Sequence, residues 1–313
     1  MHYSIIINPQ AGNGTAKQAW QHIKSQLDAA NVHYDYQLTK EVGDAEYLAR
    51  RIGHRQRSQS LVMIVVGGDG TLHDVLNGLI RSTPNHADQV PLAYIPIGVN
   101  SAFAKGYGIS MDPDKALQQI LSAHEIRRIN IGHYHDAIKD QDQYFLNNLG
   151  IGFDAAIISR VNSHSKRQRP LSRFGFFRHA LEVLYNQQQA FNLMVQQQGS
   201  REFFKKAYIV IIANHPYMSG HLQITPAADL TESSLDLIVA KRKNWLVTFW
   251  QIWKFTHGKL ANSRFASHYH GRSFHCTTTS LEFAQVDGEE IGNQFMDLLI
   301  TTTSYPFYQQ AQN

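Results

Sequence analysis

Apolar and polar positions change rhythm along this chain. Residues 3–8 form a short β-branched run, and Ala16, Ala19, Trp20, Ile23 and Leu27 follow at helical spacing. Tyr34, Tyr36 and Leu38 alternate as a strand does, and Asp44 stands as a helix cap before Ala45, Leu48, Ala49 and Ile52. Residues 61–66 are continuously apolar, the pattern of a buried parallel strand. Val75, Leu76, Leu79 and Ile80 mark another helix, residues 92–97 another strand, and Asp112-Pro113 opens a further helix with a cap and an N1 proline. This βαβα order predicts an α/β domain with a parallel sheet over residues 1–125.

The rhythm shifts near Ile126. Strand-like runs occupy residues 134–139, 144–153, 191–196, 203–213, 235–240, 264–270, 281–286 and 296–301. Two helical stretches interrupt them, at about 176–188 and 244–257. The pattern predicts a β-rich sandwich over residues 126–301, with 302–313 as a separate C-terminal segment.

Composition narrows the class. Apolar residues at 43% and charged residues at 17% exclude a disordered chain. A single cysteine, Cys276, excludes a disulfide framework and any multi-cysteine metal site, and it fits a cytoplasmic setting. Cys276 sits in an alternating stretch, as a small buried or edge residue would. The start lacks the basic n-region of a signal peptide. The longest apolar runs, 61–66 and 207–213, fall far below the ~20 residues of a membrane span, so any membrane contact is peripheral. The net charge of +4 favours anionic partners only weakly. Of 17 histidines, those in His133-Tyr134-His135 and His268-Tyr269-His270 read as tolerated surface residues rather than metal ligands.

Three glycine-containing loops follow predicted parallel strands. They run Asn8-Pro9-Gln10-Ala11-Gly12-Asn13-Gly14, then Gly67-Gly68-Asp69-Gly70-Thr71, then Gly98-Val99-Asn100-Ser101. In a parallel sheet all three lie at the carboxyl edge, where ligands bind. Glycines let the backbone approach a phosphate, and helix N-termini offer free N–H groups. Neither a P-loop nor a dinucleotide fingerprint is present. An acidic residue among three glycines at a strand end serves no packing need, which favours a phosphate or metal–phosphate role.

Gly67-Gly68-Asp69-Gly70-Thr71 resembles the motif of the diacylglycerol kinase catalytic-domain family, which includes bacterial lipid kinases and sphingosine kinases and shares a version of the motif with NAD kinases. Further segments resemble the family in order: Asn8-Pro9 with Gly12; Thr39 before Asp44-Ala45; residues 148–155; Pro226-Ala227-Ala228 before Leu235-Asp236; and Asp287-Gly288-Glu289. The resemblance spans nearly the whole chain. It implies an NAD kinase/diacylglycerol kinase-like fold, with residues after 301 packing back on the first domain.

It also implies transfer of the ATP γ-phosphoryl group to the hydroxyl of a membrane lipid such as diacylglycerol, with Mg²⁺, in a cleft between the domains. Asn8, Pro9, Gly12, Thr39, Gly67, Gly68, Gly70, Thr71, Gly98 and Asn100 would hold the nucleotide. Asp69, Asp287 and Glu289 would be catalytic, with Asp69 also a Mg²⁺ ligand and Glu289 the first choice of base. Read by itself, Asp287-Gly288-Glu289 is a hairpin turn. A second, structural metal would fall to Asp229, Glu232 and Ser234, where a solvated acidic loop is the equal alternative.

The third loop departs from the family pattern at Val99, Ser101 and Ala102, and Ser219-Gly220-His221 replaces a glycine triplet. These departures motivate a second reading, a nucleotide- or lipid-binding homologue with weakened or lost kinase activity. A soluble-substrate kinase is a third. No nucleic-acid recognition motif is present. The expected partner is a lipid at an anionic membrane surface, and a homodimer stays open. Two basic–aromatic stretches could reach that surface. Residues 165–178 hold five basic residues and three phenylalanines, an even choice between membrane contact and an ordinary helix. For the stretch from Lys241 to Trp253, a core-facing aromatic stripe with a solvated basic face is the favoured reading.

Overall fold

The computed structural model describes residues 1–55, 61–83, 85, 88–98, 101–153, 155–156, 189–219, 222–225 and 232–311. Residues 165–178, the helix expected at 176–188, Asn100 and Asp229 lie outside them. The chain divides into two compact units, Met1–Ile129 with Ser304–Asn313, and Asn130–Thr303.

The first unit alternates strand and helix. Its elements are β1 (His2–Ile7), α1 (Thr15–Ala29), β2 (Tyr34–Leu38), α2 (Asp44–Arg55), β3 (Leu61–Gly67), α3 (Asp69–Ser82), β4 (Leu92–Pro96), α4 (Ala102–Tyr107) and α5 (Pro113–Leu121). The strands pair in parallel in the order β2-β1-β3-β4. Every residue of β3 and β4 is buried, which explains their unbroken apolar sequence. α1 buries Ala16, Trp20, Ile23 and Leu27, one stripe at helical spacing. Each such aliphatic side chain contributes about 1.5–3 kcal/mol when fully buried. Asp112 caps α5 by accepting the amides of Asp114 and Lys115. Asp44 differs from expectation. It is the first helical residue, and its carboxylate reaches back to the amides of Lys40 and Glu41.

Strands β5 (Arg127–Asp136) and β17 (Asp297–Phe307) each run through the boundary between the units. The end of β17 joins the parallel sheet beside β4 through Phe307 and Leu92. Beyond it, Gln309 is buried, and its side chain both accepts from the Tyr94 amide and donates to the Tyr94 carbonyl, each at 2.9 Å.

The second unit contains β6 (Gln141–Phe145), β7 (Asn148–Gly152), β8 (Phe191–Gln197), β9 (Ser200–Ala213), β10 (Tyr217–Ser219), β11 (Leu222–Gln223), β12 (Leu235–Lys241), α6 (Trp245–Thr256), β13 (Ala266–Gly271), β14 (Ser273–Thr278), β15 (Glu282–Val286) and β16 (Glu289–Gln294). Its central strands are antiparallel, with β9 bonded to β7, β8 and β12. Alternation along β9 divides the core in two. Val210 and Ile212 join one apolar cluster, while Ile209, Ile211 and Ala213 join another with Ile252 and Phe255 of α6.

Several expected runs move. The strand expected at 134–139 begins earlier, at Arg127, and ends at Asp136, whose side chain accepts the Ile138 amide in a turn. The run 144–153 is two strands, parted at Leu146-Asn147. The run at 264–270 starts at Ala266, and that at 296–301 continues to Phe307. The aromatic helix reverses expectation. Thr248, Gln251, Ile252, Phe255 and Thr256 face inward, while Trp245, Leu246, Phe249 and Trp250 are exposed.

Candidate active site

The order β2-β1-β3-β4 places a topological switch between β1 and β3, since the chain winds outward from these two strands in opposite directions. Open α/β sheets bind ligands at such a point. The loops that leave β1 and β3 are the first two glycine loops, and the side chains tie them together. The Asn8 amide donates to the Thr71 hydroxyl at 3.0 Å, and its carbonyl accepts the Gln10 amide. Thr39, after β2, donates its amide to the carbonyl of Ile7, which brings it to the same edge. Gly12 has φ +61°, and a Cβ there would stand 3.0 Å from Ile97 and closer still to Thr15, so only glycine lets the first loop lie against the third.

Asp69 joins the second loop to the third. Its carboxylate accepts Ser101 Oγ at 2.5 Å, Tyr94 Oη at 3.1 Å, and the amides of Ala102 and Phe103 at 2.8 and 3.3 Å. The residue is partly exposed, but its carboxyl is enclosed. Burial raises its pKa, and the four donors oppose that rise. Both oxygens are therefore committed to anchoring α4, which does not suit Asp69 to be a direct Mg²⁺ ligand.

α4 is thus capped twice, by Asp69 and by Ser101, which also accepts the Ala104 amide. α1 and α3 begin differently. Their N-cap residues are Gly14 and Gly68, and neither helix has a side-chain cap. A Cβ at either glycine would meet nothing within 4 Å. α3 therefore directs amide groups and the positive end of its dipole into open space beside the switch point, whereas α1 follows directly on a 3-10 turn at Ala11–Gly14, and its first amide, that of Thr15, is already bonded to the carbonyls of Ala11 and Gly12. A helix start like that of α3 suits a phosphate.

In the second unit, Asp287 and Gly288 are the two central residues of the hairpin between β15 and β16, with φ of +52° and +89°. Asp-Gly with both residues left-handed is a type I′ turn. Asp287 is buried, and its carboxylate accepts the amides of Leu146, Asn147 and Asn148 at 2.9, 2.7 and 3.1 Å. It fixes the break between β6 and β7. Glu289 begins β16 and is exposed.

Beneath this turn, His215 is fully buried. It accepts the Tyr217 amide at Nδ1 and lies 2.6 Å from Asn147 Oδ1 through Nε2. That pattern requires the neutral ring with its proton on Nε2, and burial lowers its pKa to about 4.

Among the described residues no group of three or more His, Cys, Asp or Glu could hold a metal ion, and Asp229 of the expected second set lies outside those residues. Glu232 lies 4.0 Å from His270, and the Ser234 carbonyl accepts from Asn130. The paired histidines have carboxylate partners. His133 and His135 bond Asp142, and His268 and His270 bond the buried Asp236. Asp142 and Asp236 were the partners that sequence spacing did not show.

Three further residues were missed. Tyr94 and Ser101 position Asp69 from 25 and 32 residues away. Asp74, in the second turn of α3, has its pKa raised by burial, with His73 opposing the rise. Its only sequence signal was its place one helical turn beyond Gly70.

Comparison with known proteins shows the family and the fold. The diacylglycerol kinase catalytic domain profile matches residues 2–134, and the YegS C-terminal NAD kinase beta sandwich-like domain matches residues 147–301. A Bacillus subtilis (strain 168) protein named "Putative lipid kinase YtlR" is 28% identical over 267 residues, covering 82% of this chain and 83% of that one. A diacylglycerol kinase of Staphylococcus aureus (strain JH9) is 28% identical over 240 residues, 77% and 70% of the two chains. The crystal structure of a diacylglycerol kinase from Bacillus anthracis str. Sterne shares the fold, with a TM-score of 0.71 at 20% identity over 99% of this chain and 97% of that one. With residues 2–134 and 147–301 matched in order, the chain belongs to the diacylglycerol kinase catalytic-domain family.

Proposed function

We propose that the protein transfers the γ-phosphoryl group of ATP to the hydroxyl of a membrane lipid of the diacylglycerol type. One observation carries the reading furthest: α3 starts beside the switch point with no side-chain cap and with open space around Gly68. The amides there would bind and orient the nucleotide phosphates, and phosphoryl transfer depends mainly on such positioning. The second unit would present the acceptor. Glu289, exposed at the hairpin, would take the proton of the attacking hydroxyl, while Asp287 holds the turn that carries it. Mg²⁺ would neutralise charge on the phosphates. The described carboxylates form no cage for it, so it would enter with the nucleotide.

Gly68→Asp tests the reading. Its φ of −94° suits any residue, and aspartate is a favoured N-cap, so the fold is expected to stand. The new carboxylate would occupy the place of a phosphate. With γ-labelled ATP, Mg²⁺ and mixed-lipid vesicles, the wild type is expected to label a lipid, and the variant to lose both label and ATP binding. Label retained in Gly68→Asp would remove the proposed phosphate site. No label from the wild type, with ATP still bound, would leave a homologue without turnover.

A further inference from the structure

α6 presents an unusual outer face. At about 3.6 residues per turn, Trp245, Leu246, Phe249, Trp250, Trp253 and His257 fall on one side, opposite the inward residues. Trp245, Leu246, Phe249 and Trp250 are 74%, 58%, 39% and 46% exposed. A helix lying on a domain ordinarily shows charge on this side; here the side is aromatic and uncharged. The rings are also ordered. Trp250 stacks on Trp253 with centroids 4.8 Å apart, and Trp253 stacks on His257 at 4.4 Å.

The charge around the helix has one sign. From Leu237 to Leu281 the chain has seven Lys and Arg and no Asp or Glu. Aromatic rings near the start of α6 hold several of these cations. Lys243 and Arg264 lie over Phe265 at 5.3 and 4.8 Å, and Arg242 lies over Tyr208 at 5.3 Å. Tryptophan beside lysine and arginine suits the boundary between lipid headgroups and acyl chains. A second copy would bring the same positive charges to the contact, which disfavours a self-paired face.

We propose that α6 docks the protein on a bilayer containing anionic lipid, with its tryptophans entering the interface and the flanking cations meeting the headgroups. The inference rests on the reading of the acceptor as a membrane lipid, and it adds the surface by which the protein reaches it.

Native fluorescence tests it directly. Three of the 4 tryptophans lie on α6, and the other, Trp20, is buried. With vesicles of phosphatidylcholine and phosphatidylglycerol, emission is expected to shift blue, and brominated acyl chains to quench it. Trp245→Ser with Trp250→Ser, thermally as stable as wild type, is expected to lower vesicle affinity by at least about tenfold. Lys243→Glu with Arg264→Glu is expected to lower affinity for these vesicles by roughly tenfold or more, and not for phosphatidylcholine alone.

No shift and no quenching with anionic vesicles would overturn the proposal. So would a concentration-dependent dimer that shifts the emission without lipid. A labelling assay with a short-chain acceptor dispersed in water separates this proposal from the kinase reading. Turnover without vesicle binding would sink the docking face alone, and vesicle binding without turnover on any lipid would sink the kinase reading alone.

Discussion

Ser101 donates its hydroxyl to Asp69 at 2.5 Å while accepting the amide of Ala104. One small side chain thus caps α4 and locks the second glycine loop to the third.

Replacing Ser101 with alanine should therefore cost two bonds at once. Loss of an N-cap and of a hydrogen bond to a charged group predicts destabilisation of about 2–3 kcal/mol, read from urea unfolding. Ser101→Ala combined with Asp69→Ala should cost clearly less than the sum of the single changes, because each removes the other's partner. Strict additivity would mean that the two do not act together.

Asp287 and Glu289 should separate stability from turnover. Asp287→Ala strands three buried amides and should lower stability by about 3 kcal/mol. Glu289→Gln changes an exposed group and should leave unfolding within about 0.5 kcal/mol of wild type. If Glu289 is the base, kcat should nonetheless fall by roughly 10²–10⁴-fold. Unchanged kcat in Glu289→Gln would move the base elsewhere, with Asp74 the next candidate.

His215 predicts an acid limb in stability. Its folded pKa of about 4 lies below its ordinary value of 6.5, so the fold requires the neutral ring. The contribution is fully present above pH 6.5 and is lost as pH falls toward 4. The loss amounts to about 3 kcal/mol. In His215→Gln, stability measured over this interval should show a shallower fall, and an unaltered slope would assign the limb to other groups.

Cys276 should be inert in the native protein. It is fully buried between Val195 and Leu298, and burial pushes its thiol up to about 12. A thiol reagent should label it only at the rate of global unfolding. Fast labelling without denaturant would show that β14 opens locally.

Periodicity made much of the first unit legible. A four-strand parallel sheet leaves continuous apolar runs such as residues 61–66, and amphipathic helices such as α1 leave a clear stripe. The second unit was less readable for physical reasons. The break between β6 and β7 is imposed by Asp287 from 140 residues away, and no local window contains that partner. α6 is apolar on both sides, so periodicity could not distinguish its buried face from its exposed one. The glycine loops announced the candidate site. The actual employment of Asp69 did not show, because its donors Tyr94 and Ser101 come from separate segments.

The parallel sheet of the first unit takes its fifth member from β17, and Gln309 closes over Tyr94, which in turn bonds Asp69. During synthesis, all of residues 130–303 leave the ribosome before the end of that strand, which pairs with β4 through Phe307. Until then the nascent first unit shows an open β4 edge, apolar and unprotected. The sheet that carries the candidate site is therefore completed late, and a chain stalled before Ser304 would be prone to pair its open β4 edge with a neighbour.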